Sequence, residues 1–238
     1  MQAVDQLENS EIEQLLSLDE CTRPRAPQEL RDWVLDRCHF FAQRPNLREP
    51  VLLRHGRFKP FHEEIYPLSL FAVRRYGDRK DVFFVPNLDQ RRDFDAQIKE
   101  PSRTFPIEIT SACDPLQHLR MEYHVRHRYV PLTGPLTFKG TKRKDRQIGV
   151  VLEFVDHKVS RAEHLAFIKT AAEGKKGLGR YGKKYELLIA VEDRWFEPDD
   201  TMEIAAFVEQ EVLTLPLEFG AVHLIGLTNR LFLSFKVP

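Results

Sequence analysis

The sequence has few cysteines, no long apolar run and no net charge, and each shortage disfavours a class of protein. Its three cysteines, Cys21, Cys38 and Cys113, are scattered and form no C-x-x-C pair, which disfavours a disulfide-stabilised secreted protein and a zinc ribbon. No apolar run approaches the roughly 18 residues that span a bilayer. The acidic start, MQAVDQLENSEIEQLLSLDE, lacks the basic and apolar regions of a signal peptide. We therefore expect a soluble cytoplasmic protein.

The charges balance, because 36 basic residues face 36 acidic ones. The overall charge therefore does not mark the chain as a nucleic-acid binder, although a local basic patch could still do so. A length of 238 residues with 42% hydrophobic residues is enough for one sizeable core. We expect a single α/β domain over residues 1–238, with residues 1–26 as a peripheral segment.

Hydrophobic periodicity predicts helices and strands in an order typical of an α/β protein. Helices are expected at 27–43, in part of 58–76, at 115–127, from Ser160 onward and at 201–213. Strands are expected at 81–87, 94–98, 105–110, 136–139, 148–155, 185–193, 221–227 and 230–235. The S-x-x-E spacing of Ser160 and Glu163 is that of a capping box, which predicts the helix start. The pattern predicts a sheet flanked by helices on both faces.

The stretch RRDFDAQIKEPSRTFPIEITSACD, residues 91–114, places one acidic residue in each of two predicted neighbouring strands. These residues are Asp95 in FDAQI and Glu108 in FPIEIT. Burying an unpaired carboxylate costs on the order of several kcal/mol. The short polar connection favours a hairpin, and we expect the two carboxyl groups to lie close enough to share a cation.

The order of these elements and residues resembles the PD-(D/E)XK nuclease superfamily, which has the restriction-endonuclease-like fold. In that family a helix supplies a Glu, and a hairpin supplies an Asp on one strand and E-x-K on the next. Here Asp95 and Glu108 stand at the acidic positions, and Thr110 stands at the usual lysine position. The preceding helix offers Glu63 and Glu64. The resemblance spans roughly residues 58–190 and implies a Mg²⁺-dependent (or Mn²⁺-dependent) phosphodiester hydrolase, a nuclease acting on DNA.

The resemblance also implies a metal site and an active-site lysine. Asp95, Glu108 and the backbone carbonyl of Ile109 would hold Mg²⁺, and Glu64 would add a ligand directly or through water. Thr110 can position water but supplies no positive charge. A lysine from a neighbouring element would then have to approach, and the expected candidates are Lys175 and Lys176.

A basic run follows in KGTKRKDR, and it is either a phosphate-contacting segment or a solvated loop. Its expected nucleic-acid-binding residues are Lys139, Lys142, Arg143, Lys144 and Arg146. DNA is the expected partner and RNA a possible one, with a homodimer or a partner protein subunit for targeting. A catalytically inactive nuclease-like fold, acting as a nucleic-acid-binding or assembly subunit, is the alternative function.

Three other interpretations of the acidic, histidine and cysteine residues stay open at this point. Asp95 and Glu108 could face solvent and pair with nearby arginines such as Arg103. The segment QHLRMEYHVRHR could hold zinc through its histidines and Glu122, although it lacks H-E-x-x-H. Cys113 beside His118 could form a thiol nucleophile, although no orienting third group is evident.

Overall fold

The fold is built on a mixed β-sheet of six strands within the described part of the chain. A computed structural model describes residue 12 and residues 14–89, 93–129, 136–140, 146–151, 156–177 and 179–238. The strand order is β1-β2-β3-β6-β7-β8, and a separate two-stranded hairpin pairs β4 with β5. The strands are β1 Phe83–Pro86, β2 Ala96–Lys99, β3 Thr104–Ala112, β4 Leu136–Lys139, β5 Gln147–Val150, β6 Glu186–Val191, β7 Ala221–Gly226 and β8 Phe232–Lys236.

The type of strand pairing changes twice across the six-stranded sheet. β1, β2 and β3 form an antiparallel meander, β3, β6 and β7 run parallel, and β8 is antiparallel to β7. The parallel steps need crossover connections, which contain helices. β6 is buried along its whole length, as its near-continuous apolar sequence YELLIAVED predicts for a central strand.

The helices lie between these strands in the chain. They are α1 Leu18–Thr22, α2 Pro27–Ala42, α3 Arg48–Leu52, α4 Phe58–Pro60, α5 Tyr66–Tyr76, α6 Gln117–His127, α7 His157–Glu173 and α8 Thr201–Phe207. Short π-helical segments join α4 to α5, at Phe61–Ile65, and extend α8, at Val208–Val212. No helix within the described ranges is long and apolar enough to cross a membrane.

Two hydrophobic cores lie on the two faces of the sheet. The first joins α2 and α5 to β3 through Ile107 and Ile109, among other residues. The second joins α7 and α8 to Leu187 and Ile189 of β6. Because side chains alternate along a strand, Glu108 lies on the α7 face of β3 while its two neighbours fill the opposite core. The predicted α/β class, with helices on both faces of a sheet, is confirmed.

Three local predictions differ from the structure. Asp95 does not lie inside a strand, because β2 begins one residue later at Ala96. The helix predicted to start at Ser160 starts at His157 instead. Asp156 is its N-cap, because the Asp156 side chain accepts a hydrogen bond from the backbone amide of Lys158. The segment expected to be peripheral contributes Leu16 to the first core, where it is fully buried.

Candidate active site

The hairpin of β2 and β3 positions Asp95. Carrying the pairing of Ala96 with Ile107 one residue further places Asp95 opposite Glu108. The Asp95 carboxylate also accepts a hydrogen bond from the backbone amide of Ile109, with a distance of 2.7 Å between Ile109 N and Asp95 Oδ2. This bond holds the carboxylate against the middle of β3, beside Glu108.

Glu108 is a buried acidic residue in the middle of β3, with 6% of its surface exposed. Its Oε1 lies 2.5 Å from the ammonium nitrogen of Lys175, which follows α7. Lys175 therefore compensates the charge of a carboxylate that would otherwise be costly to bury. The alternative in which this acid faces solvent and pairs with arginines is wrong, and Arg103 instead pairs with Glu100.

Glu64 reaches the same region from the π-helical segment Phe61–Ile65. Pro67 follows that segment and lacks the amide hydrogen that an α-helical turn would offer to the Glu63 carbonyl, which accounts for a widened turn here. Glu63 pairs with Arg54, whose guanidinium nitrogen lies 3.0 Å from Glu63 Oε1. Glu64 is the acid of this helix that interacts with Asp95 and Glu108.

Glu64, Asp95 and Glu108 form what we call the carboxylate cluster. Burial and the charges of Asp95, Glu63 and Glu108 raise the pKa of Glu64 from 4.5 to about 8. Burial and the charge of Glu108 raise the pKa of Asp95 from 3.8 to about 6, although the Ile109 amide and Lys175 oppose this shift. Negative charge is therefore concentrated here beyond what the local cations neutralise, a condition common at functional sites.

A tyrosine that the sequence did not single out completes the surroundings of Glu108. Burial, the charge of Glu108 and a hydrogen bond to Glu108 raise the pKa of Tyr181 above its usual value. The Tyr181 ring packs 4.5 Å from the ring of the buried Phe219, measured between centroids. Arg180 donates to the Tyr181 hydroxyl at 2.7 Å. The loop after α7 thus brings an ammonium, a phenol and a guanidinium to one edge of the cluster.

The structure separates the two lysine candidates. Lys175 lies at Glu108, whereas the Lys176 ammonium lies 3.8 Å from Glu173 and its side chain is 43% exposed. Thr110 lies half-buried two residues after Glu108 on β3, and so on the same face of the strand. The contact observed for Ile109 involves its amide, whereas the prediction concerned its carbonyl oxygen.

The carboxylate cluster borders an open cleft of about 490 Å³. Glu64 and Asp95 line this cleft together with Asn87, Arg57 and Lys59. Asn87 donates through its side-chain nitrogen to the Phe94 carbonyl at 2.7 Å, which fixes the chain just before Asp95. The cleft therefore presents carboxylates and exposed cations on adjacent walls.

Oxygen donors of this kind suit Mg²⁺ or Mn²⁺, both hard cations. A divalent cation would also relieve the repulsion that raises the pKa values of Glu64 and Asp95. Among the described residues, no three His, Cys, Asp or Glu side chains are grouped closely enough to hold a metal ion. The cluster therefore offers carboxylate oxygens that are not arranged as a preformed metal site, and Lys175 occupies one oxygen of Glu108.

The expected nucleic-acid-binding residues fall partly outside the described ranges, since Lys142, Arg143 and Lys144 lie there. Lys139 is exposed at the end of β4. Arg146 is half-buried, and its guanidinium lies 2.8 Å from Oε2 of the buried Glu122. Arg146 therefore has a structural role in joining α6 to the β4–β5 hairpin.

The zinc and thiol interpretations have no support in the geometry. Glu122 forms ion pairs with Arg126 and Arg146, and His124 Nε2 lies 3.0 Å from an Arg48 guanidinium nitrogen. Burial raises the pKa of Cys113, which disfavours the reactive thiolate. These side chains lie on or beside α6 as structural groups.

Comparisons of the chain with protein-family models, with curated proteins and with solved structures found no match. Inference about function therefore rests on the carboxylate cluster, its lysine and the cleft beside it.

Proposed function

We propose that this protein is a Mg²⁺-dependent phosphodiester hydrolase that acts on DNA and has the restriction-endonuclease-like fold. The observation that carries the proposal is the convergence of Glu64, Asp95 and Glu108 from a helix and a hairpin, with Lys175 on Glu108. These are the residue types and the element order that the resemblance to PD-(D/E)XK nucleases implies. The raised pKa values of two of the acids support a site that is completed by a cation.

Asp95 and Glu108 would hold the cation, and Glu64 would contribute directly or through a water molecule. The ion, when bound, neutralises charge on the phosphoryl oxygens and acidifies a water molecule. The Ile109 amide keeps the Asp95 carboxylate in place through its 2.7 Å hydrogen bond. With a pKa of about 6, Asp95 is mostly ionised at neutral pH and is available as an anionic ligand.

Lys175 supplies the positive charge that Thr110 lacks. A fixed ammonium beside the reacting phosphate stabilises negative charge that develops in the transition state, and groups of this kind typically contribute about 10²- to 10³-fold in rate. The side chain is 20% exposed, so its ammonium is partly shielded from water and its interactions are stronger than on an open surface. Tyr181 and Arg180 would position Glu108 and the substrate on the same side.

Arg57 and Lys59 are suited to hold the DNA backbone. Both are exposed and line the cleft that contains Glu64 and Asp95. Each phosphate that a cation neutralises releases counterions, so binding should weaken as salt is raised. Lys139 is exposed and is a further candidate for contact with phosphates. RNA is the second substrate that we consider.

The test is nicking of supercoiled plasmid by the purified chain in Mg²⁺ or Mn²⁺, compared with Asp95→Asn and Glu108→Gln. Glu163→Gln is the matched control, because Glu163 is an exposed acid on α7. We expect metal-dependent cleavage that both cluster variants lower by at least about 10²-fold and that the control leaves intact. Cleavage that survives Glu108→Gln, or that proceeds in EDTA, would contradict the proposal. An equal assay on single-stranded RNA decides between the two substrates.

A catalytically inactive nucleic-acid-binding or assembly subunit is the second candidate. Two observations favour it: Thr110 replaces the usual lysine, and no metal-holding group of three side chains is found among the described residues. This candidate predicts salt-dependent DNA binding without cleavage in any metal, and binding that Glu108→Gln does not weaken. A homodimer or partner subunit would then supply the targeting.

A further inference from the structure

A second pocket, of about 580 Å³, lies at the edge of the sheet where the parallel strands begin. Its walls include the first residues of β3, β6 and β7, which are Thr104, Glu186 and Ala221, and the last residue of β8, Lys236. Glu186 belongs to the face of β6 that packs towards α5, because Leu188, two residues on, lies in the first core. Glu108, by contrast, lies on the α7 face. The pocket is therefore a separate feature from the carboxylate cluster.

Basic side chains dominate this pocket. The cationic side chains that line it are Arg75, Arg103, Lys183, Lys184 and Lys236, against the single carboxylate of Glu186. Such a balance of charge on a concave surface attracts anions.

The negative charge of the one acid in the pocket is already compensated by neighbouring side chains. Burial raises the pKa of Glu186, but hydrogen bonds from His223 and Arg75 outweigh it and lower the pKa to about 2. Arg75 approaches both carboxylate oxygens of Glu186, and His223 Nε2 lies 3.0 Å from Oε2. Glu186 is thus ionised and held by Arg75 and His223, with Arg103 3.8 Å from its Oε1, so it does not compensate the charges of Lys184 and Lys236.

Those other cations differ in how they are held. The Arg103 guanidinium lies over the Phe105 ring, 4.3 Å from its centroid, and its carboxylate partners are Glu100, at 2.7 Å, and Glu186, at 3.8 Å. Lys183 donates to the backbone carbonyl of Val237 at 3.3 Å. Lys184 and Lys236 are both exposed, and no carboxylate of the described residues lies within salt-bridge distance of either ammonium group.

Neutral donors stand beside these lysines. The hydroxyl groups of Thr104 and Ser234 line the same pocket, and Ser234 lies opposite His223 in the β7–β8 pairing. A phosphate group has several acceptor oxygens and carries up to two negative charges, so it can use ammonium, guanidinium and hydroxyl donors at once. A single carboxylate has only two oxygens, too few to engage the donors on β3 and β8 together with Lys184 before β6.

We propose that the pocket between Lys184, Lys236, Arg103, Thr104 and Ser234 is a binding site for a phosphate-class anion. The occupant is a phosphate group, free or as part of a phosphomonoester or phosphodiester. The site does not depend on the proposed hydrolase activity, because it uses none of the carboxylate cluster and lies on the other face of the sheet.

The test is isothermal titration with inorganic phosphate in EDTA at constant ionic strength, comparing wild type with the Lys184→Ala/Lys236→Ala double variant. The matched control is Lys80→Ala/Lys158→Ala, which removes the same charge from exposed positions outside the pocket. We expect the pocket variant to bind phosphate at least about ten-fold more weakly, because two charge-assisted hydrogen bonds are lost. The control variant should bind phosphate as wild type does.

A second arm distinguishes the source of the phosphate. A short fluorescent DNA without terminal phosphates offers only phosphodiesters. If it binds wild type, is displaced by phosphate and is weakened by the pocket variant, the site takes a nucleic-acid backbone. If it shows no such dependence while phosphate does, the site takes a free phosphate or a monoester. Equal phosphate affinity in the pocket and control variants, or no binding of either probe to wild type, would overturn the proposal. Matching circular dichroism melts establish that the variants are folded.

Discussion

The ammonium group of Lys175 lies 2.5 Å from Oε1 of Glu108, although 67 residues separate the two in the chain. Glu108 lies in the middle of β3, and Lys175 lies just after the end of α7, which packs on that face of the sheet. In the nuclease that we propose, Lys175 would supply from a different element the positive charge that an E-x-K strand carries two residues after its glutamate. Thr110 carries no charge at that position, and Lys175 reaches the Glu108 carboxylate from the end of α7.

The first prediction concerns this lysine. Lys175→Ala should lower metal-dependent DNA cleavage by about 10²- to 10³-fold, because the charge that develops on the phosphate loses its stabilising ammonium. It should also raise the pKa of Asp95 further, since Lys175 lowers that pKa in the wild type. Plasmid nicking measures the first effect, and carboxyl ¹³C NMR titration measures the second.

Lys176→Ala is the matched control for this prediction. It removes the same charge one residue away, where the ammonium faces Glu173 at the surface. Equal loss of activity in the two variants would mean that the net charge of the loop matters and the contact with Glu108 does not.

The second prediction concerns pH and Glu64. The pKa of Glu64 is raised from 4.5 to about 8 in the folded state, so its ionisation opposes folding. A raised acid pKa gives stability that is fully present below pH 4.5 and is lost as the pH rises through about 8. Glu64→Gln removes this loss and should stabilise the protein at pH 8.5 by about 2 kcal/mol, allowing for solvent screening.

Urea unfolding at pH 4.5 and pH 8.5 measures that difference. Glu163→Gln is the control, because Glu163 is an exposed acid on α7 and its replacement should not stabilise the protein at high pH. A Glu64→Gln variant with the same gain at both pH values would show that ionisation is not the cause.

Parts of the fold follow from the sequence because they depend on local pattern. The continuous apolar run of β6, the alternation in β3 and the helical spacing of 27–43 each predict the observed element. The expectation that Asp95 and Glu108 lie side by side followed from a short hairpin, and the register places them opposite one another.

Other parts depend on tertiary packing that no local pattern encodes. Tyr181 was missed because its sequence neighbours, rich in glycine and lysine, indicate only a flexible helix end. Tyr181 is held beside Glu108 by packing against the ring of Phe219, which lies in a distant part of the chain. The start of α7 was misplaced because Asp156 caps the helix before the S-x-x-E motif at Ser160.

The third prediction concerns the buried ion pair of Arg75 and Glu186. Arg75→Leu leaves the Glu186 carboxylate with His223 and a more distant Arg103 guanidinium, 3.8 Å away, and should cost about 3 to 5 kcal/mol. The double variant Arg75→Leu/Glu186→Leu removes the unpaired charge and should recover much of this loss. Arg74→Leu is the control, because Arg74 is exposed on the same helix. Chemical unfolding at pH 7 gives the three values, and a double variant as unstable as the single one would contradict the argument.

The last prediction concerns the turn after β7, which Asp193 organises. Its carboxylate accepts the backbone amides of Thr228 at 2.8 Å and of Arg230 at 3.0 Å. A Cβ atom added at Gly226 would lie 1.9 Å from Asp193 Oδ2, far inside contact distance. Gly226→Ala must therefore displace the carboxylate from the amides that it binds.

The expected cost is about 2 to 3 kcal/mol, from overpacking and from backbone amides that lose their charged acceptor. Gly182→Ala is the matched control, because a Cβ there would meet no atom within 4 Å. The Leu227 carbonyl in this turn also accepts a hydrogen bond from the Tyr66 hydroxyl, 3.2 Å away. Displacing the turn should therefore loosen the helix next to Glu64. If the collision with Asp193 is the cause, Gly226→Ala costs less in an Asp193→Ala background, since the two changes then share one loss. Strictly additive unfolding free energies in that cycle would place the cause elsewhere.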